Sequence, residues 1–397
     1  MSRRNTFAHL FTRDLPPDRK EWRDRVRALA PLLQENRDAA ESDRATPEET
    51  FRALAESGLT RLWVSTAFGG SAASIPAGST AIRELARIDA SIAWQIGVQG
   101  AIGRLSDYLP VPTARKLFLD SDGFVVGAVN PAGRAEKADG GYILSGTWGF
   151  ASGSAHADWI VCAAFVTEDG DRRTVGGAPE VRMLFIPKEQ AHFSDTWHTL
   201  GLRGTGSNDF SVDGVFVPDD FTVAGADLNR PPAPTRAYPI GYYDFGPFTS
   251  ASTALGIGRD ALDTLRSVVA GKIPAAGSRG LADSPVLQER LARLEMRLHA
   301  AGVVLDDAAR CAEESGETGG DRLSALIRLS AVNAAEAAVE TVNQAYVLAG
   351  TGSLYTSSRL ERCLRDVHSA TKHITLSPTH YETVGGFLLG GDLVMRR

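Results

Sequence analysis

The first third of the chain carries apolar residues at the three- and four-residue spacing of amphipathic helices. One helix is predicted over residues 19–43. Its apolar face is formed by Trp22, Val26, Leu29, Leu32 and Leu33. A second helix is predicted in TPEETFRALAESGL, with Thr46 as N-cap and Pro47 at the first helical position. Residues 78–105 are rich in small apolar side chains and predict a third, interior helical region.

The pattern changes at about residue 123. Short β-branched runs such as GFVVGAV, ADWIVCAAFV and VRMLFIP alternate with Gly, Asp and Pro up to about residue 225, which predicts an antiparallel sheet or barrel. A Pro/Ala-rich linker follows, and helical periodicity returns from about residue 246. We therefore predict an α+β protein with an N-terminal helical domain (1–122), a middle β-domain (123–235) and a C-terminal helical bundle (236–397).

Composition narrows the class of protein. A chain of 397 residues exceeds the usual size of a single hydrophobic core, and 43% apolar and 23% charged residues are ordinary for a globular protein. A net charge of −6 argues against a surface for nucleic acid or anionic membrane. The charged first 29 residues lack the apolar core of a signal peptide, and no run reaches the ~18 apolar residues of a transmembrane helix, so a cytoplasmic protein is predicted.

Several well-known site motifs are missing from the sequence. No HExxH, EF-hand loop, GxxxxGK[ST] or GxSxG occurs, and no GxGxxG follows a predicted strand, so metal, P-loop, Rossmann and hydrolase chemistry lack support. Cys162, Cys311 and Cys363 are odd in number and far apart, which predicts structural thiols. GLRGTGS, residues 201–207, lies between predicted strands and favours a tight turn over a phosphate loop.

Three segments carry a resemblance to a known family. They are NPAGRAEKADGGYILSGTWGFASGSAHADWIVCAAFV (130–166), DTWHTLGLRGTGSNDFSVDGVFVPDDFT (195–222) and RDVHSATKHI (365–374). Together they resemble the acyl-CoA dehydrogenase superfamily, and within it the two-component flavin-dependent monooxygenases of the p-hydroxyphenylacetate hydroxylase and dibenzothiophene monooxygenase type. The resemblance implies an acyl-CoA dehydrogenase-like fold: a helical domain, an antiparallel β-barrel or sandwich, and a four-helix bundle.

The resemblance also implies cofactor contacts in the middle domain. Phe150-Ala151-Ser152 matches the family's aromatic–aliphatic–hydroxyl strand beside the flavin, with the Ser152 hydroxyl at flavin N5; a β-turn at Ser152 is the alternative. Trp148 and Trp197 either flank the flavin or fill the barrel core. Asn130 stands where related sequences approach the flavin edge, although an Asn-Pro pair also forms turns.

The C-terminal segment decides between two activities. In acyl-CoA dehydrogenases the catalytic glutamate follows the Asp of the Arg-Asp pair by eight residues, and that position here is Ile374. Glu382 comes eight residues too late, and Asp244 stands near a second family position for the base. His373 instead matches a histidine that faces flavin C4a in the monooxygenases, where an imidazole can stabilise a C4a-hydroperoxide. A bundle histidine is the structural alternative.

The segment that would contact the flavin differs in sequence from that of the dehydrogenases. Their Arg-x-x-Phe-Gly segment is replaced by AGKIPAAGSRG, in which Lys272 and Arg279 are candidate partners of a flavin phosphate or simply solvated charges. Gly350 and Gly352 match a family loop that touches the cofactor across a subunit interface, with a helix C-cap as the alternative.

The resemblance therefore implies a monooxygenase that uses O2 and reduced FMN or FAD from a separate flavin reductase, acts on a small organic substrate and forms a homotetramer. An FAD-dependent acyl-thioester dehydrogenase is the alternative function, and a non-catalytic scaffold on the same fold is a third.

Overall fold

The computed structural model describes residues 14–232, 238–273, 280–314 and 319–394. The amino-terminal helices are α1 (Pro17–Asp43), α2 (Glu48–Glu56), α3 (Ile75–Ile88), α4 (Ala90–Gly103) and α5 (Val111–Phe118). The carboxy-terminal helices are α6 (Gly246–Ala270), α7 (Pro285–Glu314), α8 (Gly320–Ala349), α9 (Arg359–Ala370) and α10 (Thr379–Leu388). None of these described helices combines the length and the apolar character needed to cross a membrane.

The strands lie between the two helical regions. They are β1 (Phe124–Ala138), β2 (Gly141–Ala151), β3 (Ala157–Glu168), β4 (Asp171–Arg172), β5 (Thr174–Val175), β6 (Ala178–Pro179), β7 (Val181–Pro187), β8 (His192–Ser194), β9 (Asn208–Pro218) and β10 (Thr222–Ala224). The main sheet has the order β10-β7-β3-β1-β2-β9-β8, with β4 on β3, and β5 pairs with β6 separately. Since β1 pairs with β3 in parallel, the sheet is mixed, and in this one pairing it departs from the predicted antiparallel sheet.

The predicted third helical region is two helices. Asp89 is extended (φ −147°, ψ 115°) and ends α3, and its carboxylate accepts hydrogen bonds from the backbone N–H groups of Ser91 and Ile92 at the start of α4. A short acidic side chain is a favoured N-cap because it satisfies helix donors that have no intrahelical partner. The break therefore sets the direction of α4.

The start of α2 also differs from the prediction. Pro47 is the N-cap, and the Thr46 side chain makes no capping bond. Its Oγ1 instead accepts a hydrogen bond of 2.8 Å from Gln95 Nε2 on α4. The hydroxyl is thereby used to hold two helices together.

A buried tryptophan fixes α4 against its neighbours. Trp63 is fully buried and meets the ring of Phe245 edge-to-face at 4.9 Å. A Cβ on Gly78 of α3 or Gly100 of α4 would lie 2.1 Å or 2.3 Å from the Trp63 ring. Glycine at both positions therefore lets the two helices pack directly on the indole.

Candidate active site

His373 follows α9 and begins a short 3-10 turn, Ile374–Leu376. Its Nδ1 accepts a hydrogen bond from the Thr375 backbone N–H at 3.3 Å and lies 2.7 Å from Thr375 Oγ1. Thr375 Oγ1 lies 2.6 Å from Ser250 Oγ in the first turns of α6. The Trp94 ring of α4 meets the imidazole edge-to-face, with centroids 5.5 Å apart and an interplanar angle of 73°. The imidazole is thus held by its own turn, by α6 and by α4.

The charge of His373 follows from its surroundings. Protein atoms around the ring desolvate it and lower its pKa to about 4, because burial disfavours the charged form. The residue nevertheless keeps solvent-exposed surface in the single chain, which opposes that shift and draws the pKa towards its ordinary value of about 6.5. Anywhere in this range the imidazole is predominantly neutral at pH 7.

Ser152 lies just beyond the end of β2 and is buried. Its Oγ is 2.7 Å from Ser207 Oγ, which is 2.7 Å from Thr205 Oγ1. The Ser152 carbonyl accepts a hydrogen bond of 2.9 Å from Gln99 Nε2 of α4. Three hydroxyl groups therefore form one run where β2 meets α4 and the loop before β9. The predicted turn is also present, since Gly153 has a φ of +81°.

Phe150 is an exposed aromatic residue beside this run. The register between β2 and β9 is irregular from Trp148 to Ala151, and Phe150 has a φ of +68°, a backbone region that bulky residues rarely adopt. Its side chain is 72% exposed and meets the partly buried Trp197 edge-to-face at 6.1 Å. Ala151 is fully buried beneath it. The irregularity thus directs an aromatic ring outward.

Trp148 does not belong with this pair. It is 1% exposed, is stacked on Phe210 at 5.4 Å, and donates its Nε1–H to the Ala163 carbonyl at 2.7 Å. A ring enclosed in this way has no free face for a cofactor. The second alternative therefore holds, and Trp148 is a core residue of the sheet.

Asn130 is exposed and lies where the β1–β3 register is interrupted, between Ala128 and Gly133. A strand interruption of this kind redirects side chains away from the regular alternation. The Asn-Pro pair therefore forms a local irregularity in the strand, and Asn130 offers an exposed amide there.

Gly350 and Gly352 lie at a different place from His373. Gly350 has φ +72° and ψ −158°, a conformation that only glycine adopts readily, and Lys272 Nζ donates to the Ala349 carbonyl beside it at 2.6 Å. Gly352 and Lys272 line a cleft of about 400 Å³ near the start of α9. Since His373 follows the end of this 12-residue helix, about 18 Å of helix separates the two places. Arg279 lies outside the described residues.

The carboxylates proposed for the alternative dehydrogenase activity are engaged or exposed. Asp244 Oδ1 accepts hydrogen bonds from Ser324 Oγ at 2.6 Å and from Arg328 at 3.1 Å. Glu382 is exposed on α10, beyond the turn that carries His373. Two donors on α8 thus already occupy Oδ1 of Asp244. Asp244 is therefore a poor candidate for removing a substrate proton.

Three other histidines of the described residues make contacts within the fold. His156 stacks on Phe51 at 4.3 Å and bonds to the Thr46 carbonyl at 2.7 Å. His368 Nε2 lies 3.0 Å from Asn343 Oδ1, and His380 Nε2 lies 2.9 Å from the Ile374 carbonyl. Each of these three rings bonds to a neighbouring element of the protein.

Sequence reasoning missed the side chains that surround the predicted residues. Thr375 follows His373 by two positions and was available as a signal, and Ser207 lies in the GLRGTGS segment that was interpreted only as a turn. Ser250, Trp94 and Gln99 lie within helices, where nothing in the local pattern distinguishes them from packing residues.

Comparison with known proteins identifies the class. Residues 16–108 match the family model described as acyl-CoA dehydrogenase, N-terminal domain, and residues 248–378 match the one described as acyl-CoA dehydrogenase, C-terminal domain. The structure of XiaF from Streptomyces sp. in complex with FADH2 and glycerol has a TM-score of 0.87 and 23% identity, covering 95% of this chain and 97% of that one. The fold is that of the acyl-CoA dehydrogenases.

The curated relatives narrow this class further. The indole-3-acetate monooxygenase of Pseudomonas putida is 30% identical over 372 residues, which cover 91% of this chain and 93% of the relative. The oxygenase component of the FADH2-dependent resorcinol hydroxylase of Rhizobium sp. (strain MTP-10005) is 29% identical, with 89% and 90% covered. The chain belongs to the flavin-dependent monooxygenases of the acyl-CoA dehydrogenase fold, as an oxygenase component.

Proposed function

We propose that this oxygenase component hydroxylates a small aromatic molecule, using reduced FMN or FAD that a separate flavin reductase supplies. The relatives support this proposal, since they include an indole-3-acetate monooxygenase and the oxygenase component of a resorcinol hydroxylase. The oxygenase component of the resorcinol hydroxylase is named as FADH2-dependent.

The residues of this chain fit a planar cofactor. Phe150 exposes 72% of its surface next to Trp197, and an aromatic side chain that is exposed on one face can stack against a ring system. Ser152 adds a hydroxyl beside this pair, and a hydroxyl both donates and accepts hydrogen bonds. Phe150, Trp197 and Ser152 are thus the residues we propose for the isoalloxazine, with Asn130 at its edge.

His373 carries the proposal. An imidazole, and not a carboxylate, follows α9, and Asp244, the alternative base, is held by Arg328 and Ser324. Reduced flavin, when bound, would supply the two electrons with which one atom of O2 enters the substrate and the other leaves as water. A neutral imidazole can donate a hydrogen bond to a reacting oxygen without removing a substrate proton. This combination favours oxygenation over dehydrogenation.

The separate cleft supports an assembly of several subunits. Lys272, Gly350 and Gly352 lie about 18 Å of helix away from His373, which is too far for direct contact with the same small ring. We propose that the cleft receives the phosphate-bearing end of a flavin held mainly by a neighbouring subunit, in a homotetramer. Lys272 supplies the positive charge for that end.

The proposal is tested with purified protein, NADH, a flavin reductase and a panel of phenols and indoles under ¹⁸O2. We expect ¹⁸O-labelled product from the wild type and little free hydrogen peroxide. Replacing His373 with Asn withdraws the donor at the Nε2 position, because the amide side chain is shorter than the imidazole. A hydrogen bond to a charged oxygen contributes about 1.5–3 kcal/mol, so the ratio of product to peroxide should fall roughly 10- to 150-fold. For Ser152→Ala we expect weaker binding of reduced flavin.

The matched control is His368→Asn, which removes a histidine five positions earlier that bonds to Asn343. It should leave the ratio of product to peroxide unchanged. If His373→Asn behaves like this control, His373 takes no part in the oxygen chemistry. If no panel compound is labelled and acyl-CoA reduces an electron acceptor instead, the proposed reaction is wrong.

A further inference from the structure

The two nitrogens of the His373 ring have different surroundings. Nδ1 lies 3.3 Å from the Thr375 backbone nitrogen and 2.7 Å from Thr375 Oγ1. Within the described residues, the hydrogen bonds of the ring are made at Nδ1, and Nε2 bonds to no protein group. One edge of the imidazole is therefore anchored to the protein, and the other edge remains open to a ligand.

The Thr375 backbone N–H fixes where the proton of the neutral ring must be. A backbone N–H can only donate, so the Nδ1 that receives it carries a lone pair. A neutral imidazole has one N–H, and that proton must then be on Nε2. The ring acts as the N-cap of its own 3-10 turn, since its side chain accepts from Thr375 N.

The hydroxyl of Thr375 acts in the same direction. Its Oγ1 lies 2.7 Å from Nδ1, so the hydroxyl and the more distant backbone N–H of Thr375 share the single lone pair of Nδ1 as the two donors of a bifurcated hydrogen bond. Thr375 Oγ1 then accepts from Ser250 Oγ at 2.6 Å. The hydrogen bonds from α6 to the imidazole therefore run from Ser250 to Thr375 to His373.

The orientation of the ring is fixed as well as its proton. Trp94 of α4 packs edge-to-face against the imidazole at 5.5 Å, with an angle of 73° between the ring planes. Ser250 is 4% exposed, and the inferred order of donors directs its one hydroxyl hydrogen to Thr375 Oγ1 at 2.6 Å in preference to the Gly246 carbonyl at 3.1 Å. The anchoring atoms thus belong to a packed helix and to the backbone of the turn.

We propose that Thr375 and Ser250 are positioning residues that hold His373 as the Nε2–H tautomer, so that the open edge of the ring is a hydrogen-bond donor. The use of this donor rests on the proposed function: an oxygen that gains negative charge is stabilised by Nε2–H and repelled by an Nε2 lone pair. In the other tautomer the same ring, in the same place, would oppose the reaction.

The tautomer can be measured in the flavin-free enzyme by long-range ¹H–¹⁵N NMR on ¹⁵N-histidine protein. The signal of His373, one of eight histidines, is assigned by its loss in His373→Asn. We expect the wild type to show Nε2–H. Replacing Thr375 with Val keeps the shape of the side chain and the backbone N–H but removes the hydroxyl. One ordinary hydrogen bond contributes about 1 kcal/mol, so the tautomer ratio should shift about fivefold towards Nδ1–H. Ser250→Ala should shift it in the same direction by less.

Two further variants separate positioning from packing. Thr375→Ser restores the hydroxyl without the methyl group and should restore the wild-type ratio. Thr371→Val is the matched control. Thr371 follows α9 and donates its hydroxyl to the Val367 carbonyl, so this substitution should leave the tautomer ratio unchanged. An Nδ1–H signal in the wild type, or an unchanged ratio in Thr375→Val, would overturn the inference.

Peroxide release separates this inference from the proposed function. If the tautomer shifts in Thr375→Val and peroxide release rises with it, both are supported. If the tautomer shifts and the ratio of product to peroxide stays at the wild-type value, Thr375 still positions the ring, but His373 is not the donor to oxygen.

Discussion

Replacing Asp366 with Asn should change how the stability of the protein depends on pH. The Asp366 side chain is 5% exposed, and its Oδ1 accepts a hydrogen bond of 2.7 Å from the Leu202 backbone N–H. Burial raises its pKa from 3.8 to about 6, although the Leu202 bond and Arg362 oppose the shift. Asn keeps an oxygen for Leu202 and resembles the protonated carboxyl group.

The magnitude follows from the pKa difference. A rise of about two pKa units corresponds to about 3 kcal/mol, at 1.36 kcal/mol for each unit. The native pKa lies above the unfolded one, so the folded state binds the proton more tightly. This contribution to stability is fully present below about pH 4 and is lost as the pH rises through about 6.

Urea unfolding from pH 4 to pH 8 measures this difference. The free energy of unfolding of the wild type, minus that of Asp366→Asn, should fall by about 3 kcal/mol across the range. Asp366→Ala also removes the acceptor of a buried N–H, so it should lose about 1–3 kcal/mol more than Asn at every pH. Parallel curves for the wild type and Asp366→Asn would refute the reasoning.

Three further predictions concern stability and cofactor binding. Arg104→Met removes a fully buried guanidinium 4.0 Å from Asp107 and should lower the free energy of unfolding by about 3–5 kcal/mol; adding Asp107→Asn should recover much of that loss in denaturant melts, and additive effects would contradict the pairing. Phe150→Gly relieves a φ of +68°, so stability should hold or rise by up to about 1 kcal/mol, while titration shows weaker binding of reduced flavin. Gly350→Ala should destabilise the protein by about 1–3 kcal/mol in thermal unfolding, and an unchanged melting temperature would argue against the strained conformation.

The order of helices, strands and helices could be predicted because the hydrophobic period changes twice along the chain. The parallel pairing of β1 with β3 could not, since alternation shows which residues share a face but not which strand lies alongside. Asp89 was equally available as a helix break, but the apolar spacing on both sides of it favours one continuous helix. The division into three domains at residues 122 and 235 stays a prediction.

The residues of the candidate site also divide into those that the sequence could predict and those that it could not. Regular alternation would place Trp148 and Phe150 on one face of β2, and only the positive φ of Phe150 sends the two rings in opposite directions. His373 was found through its resemblance to a family motif. The hydrogen bonds that support its ring include one between Thr375 and Ser250, which are 125 positions apart. No local sequence pattern predicts a contact over that separation.

One helix connects the two halves of the site. Trp94 meets His373 and Gln99 holds Ser152, and these two side chains are five residues apart on α4, which is about 7.5 Å along the axis. Because a helix hardly stretches, the geometry of α4 sets the distance between the His373 imidazole and Ser152. The surrounding loops can therefore diverge in sequence and still leave that spacing intact, whereas a single inserted residue between Trp94 and Gln99 would turn one contact about 100° away from its partner.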